Sequence, residues 1–282
     1  MARTRRSVSR EGTSKTVDLS RAEERAVDDL TPPRAAVVFE TIRREGQNEL
    51  ERSELSLFAS GLAAGLAMGL SLAGVGLISA LLPKARWTPL VENVGYTLGF
   101  VVVVLGRLQL FTENTLTAIL PLLDNPDKLL TLRRVAKVWS IVLLANLLGA
   151  AIFAFVAAHT PIFSETVRAE FERIGREAAA PAFGTFVLRS IVAGWMIALM
   201  VWLLPGADEM RMVVILFITY FVGLGSFSHI VVGSVDVFYL VATGGMSWLQ
   251  YLGGYMLPVL LGNVIGGVSL VAVLNYGQVV AD

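Results

Sequence analysis

The sequence predicts an all-α membrane protein: six transmembrane helices in two inverted three-helix repeats, with the second and fifth helices broken. Three observations carry that expectation. Of 282 residues, 55% are hydrophobic and 16% charged, where a soluble domain carries roughly a quarter charged residues. The charge is segregated: eleven of the 23 Lys and Arg lie in residues 1–56, while residues 237–281 contain no charged side chain. Six apolar stretches each reach the ~20 residues that a bilayer crossing needs.

In chain order, residues 1–31 read as a disordered, solvated tail. The basic start is followed by "TVDLSRAEERAVDDL" rather than by the apolar core of a signal peptide. Residues 32–56 read as an interfacial helix with Thr31 as N-cap and proline at the first helical positions. Its Val38, Phe39 and Ile42 form an apolar edge suited to the membrane, to a neighbouring subunit or to covering the bundle. Residues 57–278 form the membrane domain. Its spans are Leu55–Pro83, Val94–Leu123, Val138–Ala158, Pro181–Pro205, Met212–Thr243 and Trp248–Tyr276. Counting Lys and Arg in the tail and connections gives sixteen on the side of the termini and five on the other. That bias predicts a multi-pass protein of the inner or plasma membrane with both termini in the cytoplasm. Glycines at spacing four (Gly61, Gly65, Gly69 and Gly262, Gly266) allow close helix approach, within the chain in preference to between subunits.

The second span is interrupted by "GRLQLFTENT", the fifth by "GLGSFSHIVVGSVD". Three spans per half reverse the direction of the second half, and matched broken helices point to a translocation site between inverted repeats. Non-helical backbone at that depth lines a cavity or is buried in protein. The intramembrane ionisable residues are Arg107, Glu113, Arg189, His229 and Asp236. Each must be paired, near an interface or exposed to water. Arg107–Glu113 and Arg189–Asp236 are candidate pairs, with a pore-facing Arg107 or Arg189 as the alternative.

Other classes are narrowed by composition. Without cysteine there is no disulfide or thiol chemistry, and two histidines cannot build a His/Cys metal cluster. No cofactor, metal or nucleic-acid partner is predicted, and no acidic motif supports an intramembrane enzyme. A neutral-solute channel would carry paired Asn-Pro-Ala motifs. Here the single Asn-Pro, Asn125-Pro126, is followed by Asp127.

"GRLQLFTENT" and "GSFSHIVVGS" resemble the broken second and fifth helices of the formate/nitrite transporter family. "WMIALMVWL" (Trp195–Leu203) and "LPVLLGNVIGGVSLV" (Leu257–Val271) resemble its fourth and sixth helices. The resemblance implies an aquaporin-like protomer in a homopentamer, carrying small monovalent anions such as formate or nitrite together with a proton. Carried over by residue, Leu110, Phe111 and Thr112 match the loop that approaches a central histidine, His229. Tyr96 and Val222 match an outer apolar constriction, and Phe100, Leu110 and Ile197 an inner one. Arg107 stands where better-known members have a small residue. A histidine changes charge near neutral pH, so permeation is expected to be linked to protonation at His229, with half-helix N-termini supplying free N–H donors. A non-transporting membrane scaffold or sensor on the same fold is the alternative.

Overall fold

The computed structural model describes residues 19–281, which fall into two units, one ending at Pro33 and one starting at Arg34. In the first, Arg21–Leu30 form helix α1. The Ser20 hydroxyl and N–H both reach the Glu23 carboxylate, at 2.7 and 2.8 Å, and fix its start. This part of the tail, expected to be disordered, is therefore helical; residues 1–18 lie outside the described residues.

The second unit begins with α2 (Ala35–Glu51), whose N-cap is Arg34 rather than Thr31. Each proline of the Pro32-Pro33 pair disfavours helical backbone in the residue before it. The Thr31 hydroxyl instead donates to the Val27 carbonyl. The membrane domain follows as α3 (Glu54–Leu81), α4 (Thr88–Leu105), α5 (Phe111–Thr117), α6 (Leu120–Asp124) and α7 (Lys128–His159). A connecting helix α8 (Glu165–Ala179) leads to α9 (Phe183–Leu203), α10 (Arg211–Leu224) and α11 (Val232–Ala242). The last span, α12 (Trp248–Val279), contains two π-helical stretches, Tyr251–Met256 and Val268–Val273. Side-chain caps set several starts: Ser53, Asp127, Ser164 and Ser247 each accept an N–H from the first turn of the helix that follows.

Among the described residues, five helices are long and apolar enough to cross a bilayer: α3, α4, α7, α9 and α12. The expected fifth crossing is divided into α10 and α11, about 21 and 16 Å long at 1.5 Å per residue. The expected second crossing starts at Thr88 rather than Val94. Its first turns include Glu92, which is buried in an ion-pair network and made this part of the helix read as a loop.

Packing rests on glycines, as their spacing predicts. A Cβ on Gly65 would sit 2.1 Å from the Asn146 carbonyl oxygen, and one on Gly194 2.3 Å from that of Asn263. These two close approaches, α3 on α7 and α9 on α12, bring buried asparagines against the chain breaks. Gly262 and Gly266 likewise meet the α9 backbone, so these glycines serve contacts within the chain. Leucines such as Leu81, Leu144 and Leu188 cover the outer surface, the pattern of a helix bundle in lipid.

Helix α2 covers one end of the bundle. Val38, Phe39 and Ile42 are buried, with the Phe39 ring 5.8 Å from that of Tyr276. Gly46 lies against the Thr117 carbonyl at the end of α5. The Thr117 hydroxyl donates to Glu49 at 2.6 Å and the Gln109 amide to the same carboxylate at 3.4 Å. Burial raises the Glu49 pKa from 4.5 to about 7 against the opposing pull of these hydrogen bonds. A carboxyl whose pKa is raised on docking stabilises the docked helix most at low pH, and that contribution fades as pH rises through about 7. Protease cleavage within α2 is therefore expected to accelerate between pH 5 and pH 8 (values set by the roughly 4.5-to-7 shift). In Glu49→Gln the cleavage rate should be flat across this range; an unchanged pH dependence would contradict the assignment.

Candidate functional site

The two breaks share one backbone geometry. At the first, Gly106, Arg107 and Leu108 N–H donate to Val102, Val104 and Val103 carbonyls. At the second, Gly225, Ser226 and Phe227 N–H donate to Phe221, Gly223 and Val222 in the same pattern. Arg107 and Ser226 take the left-handed conformation, at φ 52° and 50°, where a side chain is strained. A buried asparagine then holds each following segment. Asn146 accepts from Phe111 N–H at 2.9 Å and donates to Gln109 and Gly61 carbonyls at 2.9 and 2.8 Å. Asn263 accepts from Ile230 N–H at 2.8 Å and donates to Ser228 and Ser190 carbonyls at 3.0 and 2.8 Å. One side chain thus satisfies a donor and an acceptor of backbone that leaves its helix, and ties them to a carbonyl of a neighbouring continuous helix, α3 or α9. Neither asparagine was among the expected site residues. The available signal was a lone amide within each apolar, glycine-flanked run, "ANLLGA" and "LGNVIGG".

The breaks bring Thr112 and His229 together: Thr112 Oγ1 lies 2.8 Å from His229 Nε2, both groups buried. The opposite ring nitrogen, Nδ1, accepts from Val231 and Val232 N–H at 3.2 and 3.3 Å. Two donors on Nδ1 place the ring proton on Nε2, so Nε2–H donates to Thr112. The Thr112 hydroxyl proton then has no acceptor among the described residues. The Phe100 ring stands edge-on to the imidazole at 5.1 Å, and Tyr96 is 5.6 Å from Phe100. The expected free N–H donors at the half-helix starts are corrected in part: the Thr112 N–H meets no acceptor among the described residues, but four others are occupied. Those of Phe111, Ile230, Val231 and Val232 are taken by Asn146, Asn263 and His229 itself.

Two cavities approach this pair. One, of about 360 Å³, opens beside α8 and ends at Tyr96, Val222 and His229. The other, of about 340 Å³, opens beside α2 and is lined by Val104, Val201, Ile215 and Arg107. The two are joined by continuous helix faces. On α4, Tyr96 lines the first and Val104 the second, with buried Phe100 between; on α9, Arg189 and Val201 flank buried Ile197. Leu110 and Phe111 are buried beside Thr112. The step from Tyr96 to Val104 is about 12 Å of helix, an apolar barrier whose central polar groups are Thr112 and His229.

Neither candidate ion pair forms. Arg107 is exposed in the α2-side cavity and lies 3.8 Å from Glu45 rather than pairing with Glu113. Glu113 turns one carboxylate oxygen into the protein, where it meets no hydrogen-bond partner. Among the described residues Arg189 and Asp236 form no ion pair, though both line the α8-side cavity. At the mouth of that cavity Arg173 is instead shared between Glu92, Glu170 and Glu177, at 2.7–3.1 Å. Burial acts to raise the Glu170 pKa, but hydrogen bonds from Lys84, Arg173 and Ser79 outweigh it and hold the value at about 2.

The family model for the formate/nitrite transporter matches residues 36–277. The chain belongs to the formate/nitrite transporter family. Among its relatives, the inner membrane protein YfdC of Escherichia coli (strain K12) is 40% identical over 255 residues, covering 90% of this chain and 82% of that protein. The formate channel BtFdhC of Bacillus thuringiensis is 26% identical over 193 residues, covering 66% and 73%. Among solved structures, a pentameric formate channel with formate bound superposes with a TM-score of 0.71 at 18% identity, over 81% of this chain and 98% of that one. The helical membrane fold read from the sequence is thus the fold of this transporter family.

Arg107 stands at the turn of the first break. Its guanidinium faces the α2-side cavity from a backbone position that glycine adopts without strain. Arg107→Gly is therefore expected to keep or raise thermal stability while lowering anion entry from that side several-fold at low salt, since a fixed positive charge concentrates anions locally. Initial uptake rates at low and high ionic strength check this, and equal rates in both proteins would exclude the role.

Proposed function

We propose that the protein is a channel for small monovalent weak-acid anions, formate and nitrite foremost, which cross its barrier as neutral acids. The observation that carries this reading is the 2.8 Å contact between Thr112 and His229 inside an otherwise apolar barrier between two water-accessible cavities. A bare carboxylate loses several kcal/mol or more on leaving water, even after the surroundings relax. Protonating a carboxylate of pKa near 4 at pH 7 costs about 4 kcal/mol, and the neutral acid then crosses at far lower cost. Neutralisation is the cheaper route whenever the barrier is dry.

In this reading Tyr96 with Val222, and Phe100 with Leu110 and Ile197, exclude the ionised form. His229 Nε2–H polarises the Thr112 hydroxyl, whose proton is free to hydrogen-bond the permeant midway. A proton taken up at His229 requires the Val231 and Val232 N–H groups to leave Nδ1. Protonation at the histidine is thus tied to a local change at the start of α11. Phe111 braces the Thr112 turn from behind, its ring 5.8 Å from Trp139.

The same proposal includes six crossings in two inverted repeats, supported by the shared geometry of the breaks and their asparagine clamps. It includes a homopentamer in an inner or plasma membrane, supported by the family and by the exposed leucine surface. Both termini and the α2-side cavity are on the cytoplasmic side, supported by the excess of Lys and Arg there. Uptake of labelled formate, nitrite, acetate and lactate into proteoliposomes tests the reading. Saturable uptake of at least one that accelerates on acidification supports it. A correctly assembled oligomer that carries none would leave the scaffold or sensor alternative.

A further inference from the structure

The α8-side cavity contains an acid that the transport reading leaves unused. Asp236, on the second turn of α11, is 8% exposed and lines the cavity whose floor is His229. No hydrogen bond or ion pair engages its carboxyl group among the described residues. Its charged and titratable surroundings are Glu92 and Tyr96 on α4, Arg173 and Glu177 on α8, Arg189 on α9, His229 and, on α12, Tyr255. Arg173 is already held by Glu92, Glu170 and Glu177. Among the described residues Arg189 is therefore the arginine of this cavity that no acid neutralises. The Tyr255 hydroxyl donates to the His229 carbonyl at 3.3 Å, connecting the cavity floor to the histidine loop. An ionised, unpaired aspartate in this position would repel the very anions the cavity admits, whereas a protonated one can neutralise them.

We propose that Asp236 delivers the proton that neutralises anions entering from the α8 side, with Arg189 holding the anion beside it. This rests on the reading of the protein as a weak-acid channel and names its proton donor. The O–H bond of the Asp236 carboxyl breaks as a new O–H forms on the anion's oxygen. Asp236 is left as a carboxylate and the permeant as a neutral acid, which moves on past Tyr96 and Val222. Water in the open cavity returns a proton to Asp236. In the reverse direction, an acid arriving from the barrier gives its proton to the Asp236 carboxylate and leaves as the anion. The location suits the role: the exchange happens before the barrier, where the departing proton and the entering anion both reach solvent.

The test uses the purified oligomer in proteoliposomes, with labelled formate as probe and the outer pH varied from about 5 to about 8, the range over which a histidine-linked or buried-acid step changes state. Wild-type uptake should rise on acidification. Asp236→Asn, which cannot release a proton, should lose about a hundredfold of the uptake, the low end for removal of a positioned proton donor, and should flatten the pH profile. Asp236→Glu should keep a pH-dependent profile with a displaced midpoint. Arg189→Gln should raise the formate concentration for half-maximal uptake and leave the profile's midpoint in place. Infrared difference spectra of the assembled protein, recorded across the same pH range, give a readout that needs no substrate. A carboxylic-acid C=O band that titrates in wild type and is missing in Asp236→Asn is expected. Wild-type formate uptake with an unaltered pH profile in Asp236→Asn overturns this inference alone, as does a spectrum with no Asp236-dependent band. Absence of uptake in the wild type overturns the channel reading and this inference with it.

Discussion

Asn146→Leu is expected to yield little or no assembled protein, and Asn263→Leu the same. Each asparagine side chain satisfies one N–H and one carbonyl of backbone that has left its helix, and also bonds a carbonyl of a neighbouring continuous helix, Gly61 on α3 or Ser190 on α9. Leucine is similar in size but offers no donor or acceptor, so two buried backbone groups of the break lose their partners at once, and the tie to the neighbouring helix is lost with them. At about 1–3 kcal/mol for each unsatisfied group, the loss is about 2–6 kcal/mol, a large part of the total stability of a typical domain at roughly 5–15 kcal/mol. Lipid supplies no substitute partner. Asparagine to aspartate should be milder, since the acceptor for Phe111 or Ile230 is kept while the two donations are lost. Melting temperature and oligomer yield in detergent check the ordering wild type, aspartate, leucine. A leucine variant that melts with the wild type would show that the breaks are held by something other than these clamps.

His229→Ala and Thr112→Val should each lower formate flux by about a hundredfold or more, the range for loss of a positioned proton-handling group, without comparable loss of assembly. The two residues act through one hydrogen bond, so the double variant should lose scarcely more than either single one. His229→Ala also frees the Val231 and Val232 N–H groups, so it should destabilise the protein more than Thr112→Val does. That difference separates positioning from transport: equal flux losses with unequal melting temperatures are expected. Additive flux losses would mean that Thr112 and His229 serve the permeant independently.

Much of this architecture was legible in the sequence because membrane burial leaves a coarse signature. Long apolar runs marked the spans, and the glycines and polar residues at 106–115 and 223–236 marked both breaks before any geometry was known. The pairing of Thr112 with His229 followed from the likeness of the two broken segments to the family's own. What the sequence hid were features that depend on three-dimensional direction. Arg107 reached Glu45 on α2 rather than Glu113, because its left-handed backbone points the side chain out of the break. Arg189 and Asp236 face one cavity without pairing. Of the N–H groups expected to face the permeant, those of Phe111, Ile230, Val231 and Val232 are consumed by asparagines and by the histidine's own second nitrogen. Periodicity identifies the face a residue occupies, but not which of several nearby polar groups wins a buried donor. The start of α2 was misplaced for a local reason, the restriction that successive prolines impose on the residues before them.

The most direct test of the central claim is to record the charge that accompanies formate. Proteoliposomes containing an internal pH indicator, and planar bilayers under voltage clamp, report proton and charge movement in the same preparation. Permeation as the neutral acid predicts internal acidification of about one proton per formate, no formate-dependent current, and flux that rises about tenfold per unit fall in outer pH before saturation. A formate current without acidification, insensitive to pH, would mean that the bare anion crosses between Phe100 and Ile197. The dry barrier and the role given to Thr112 and His229 would then be wrong.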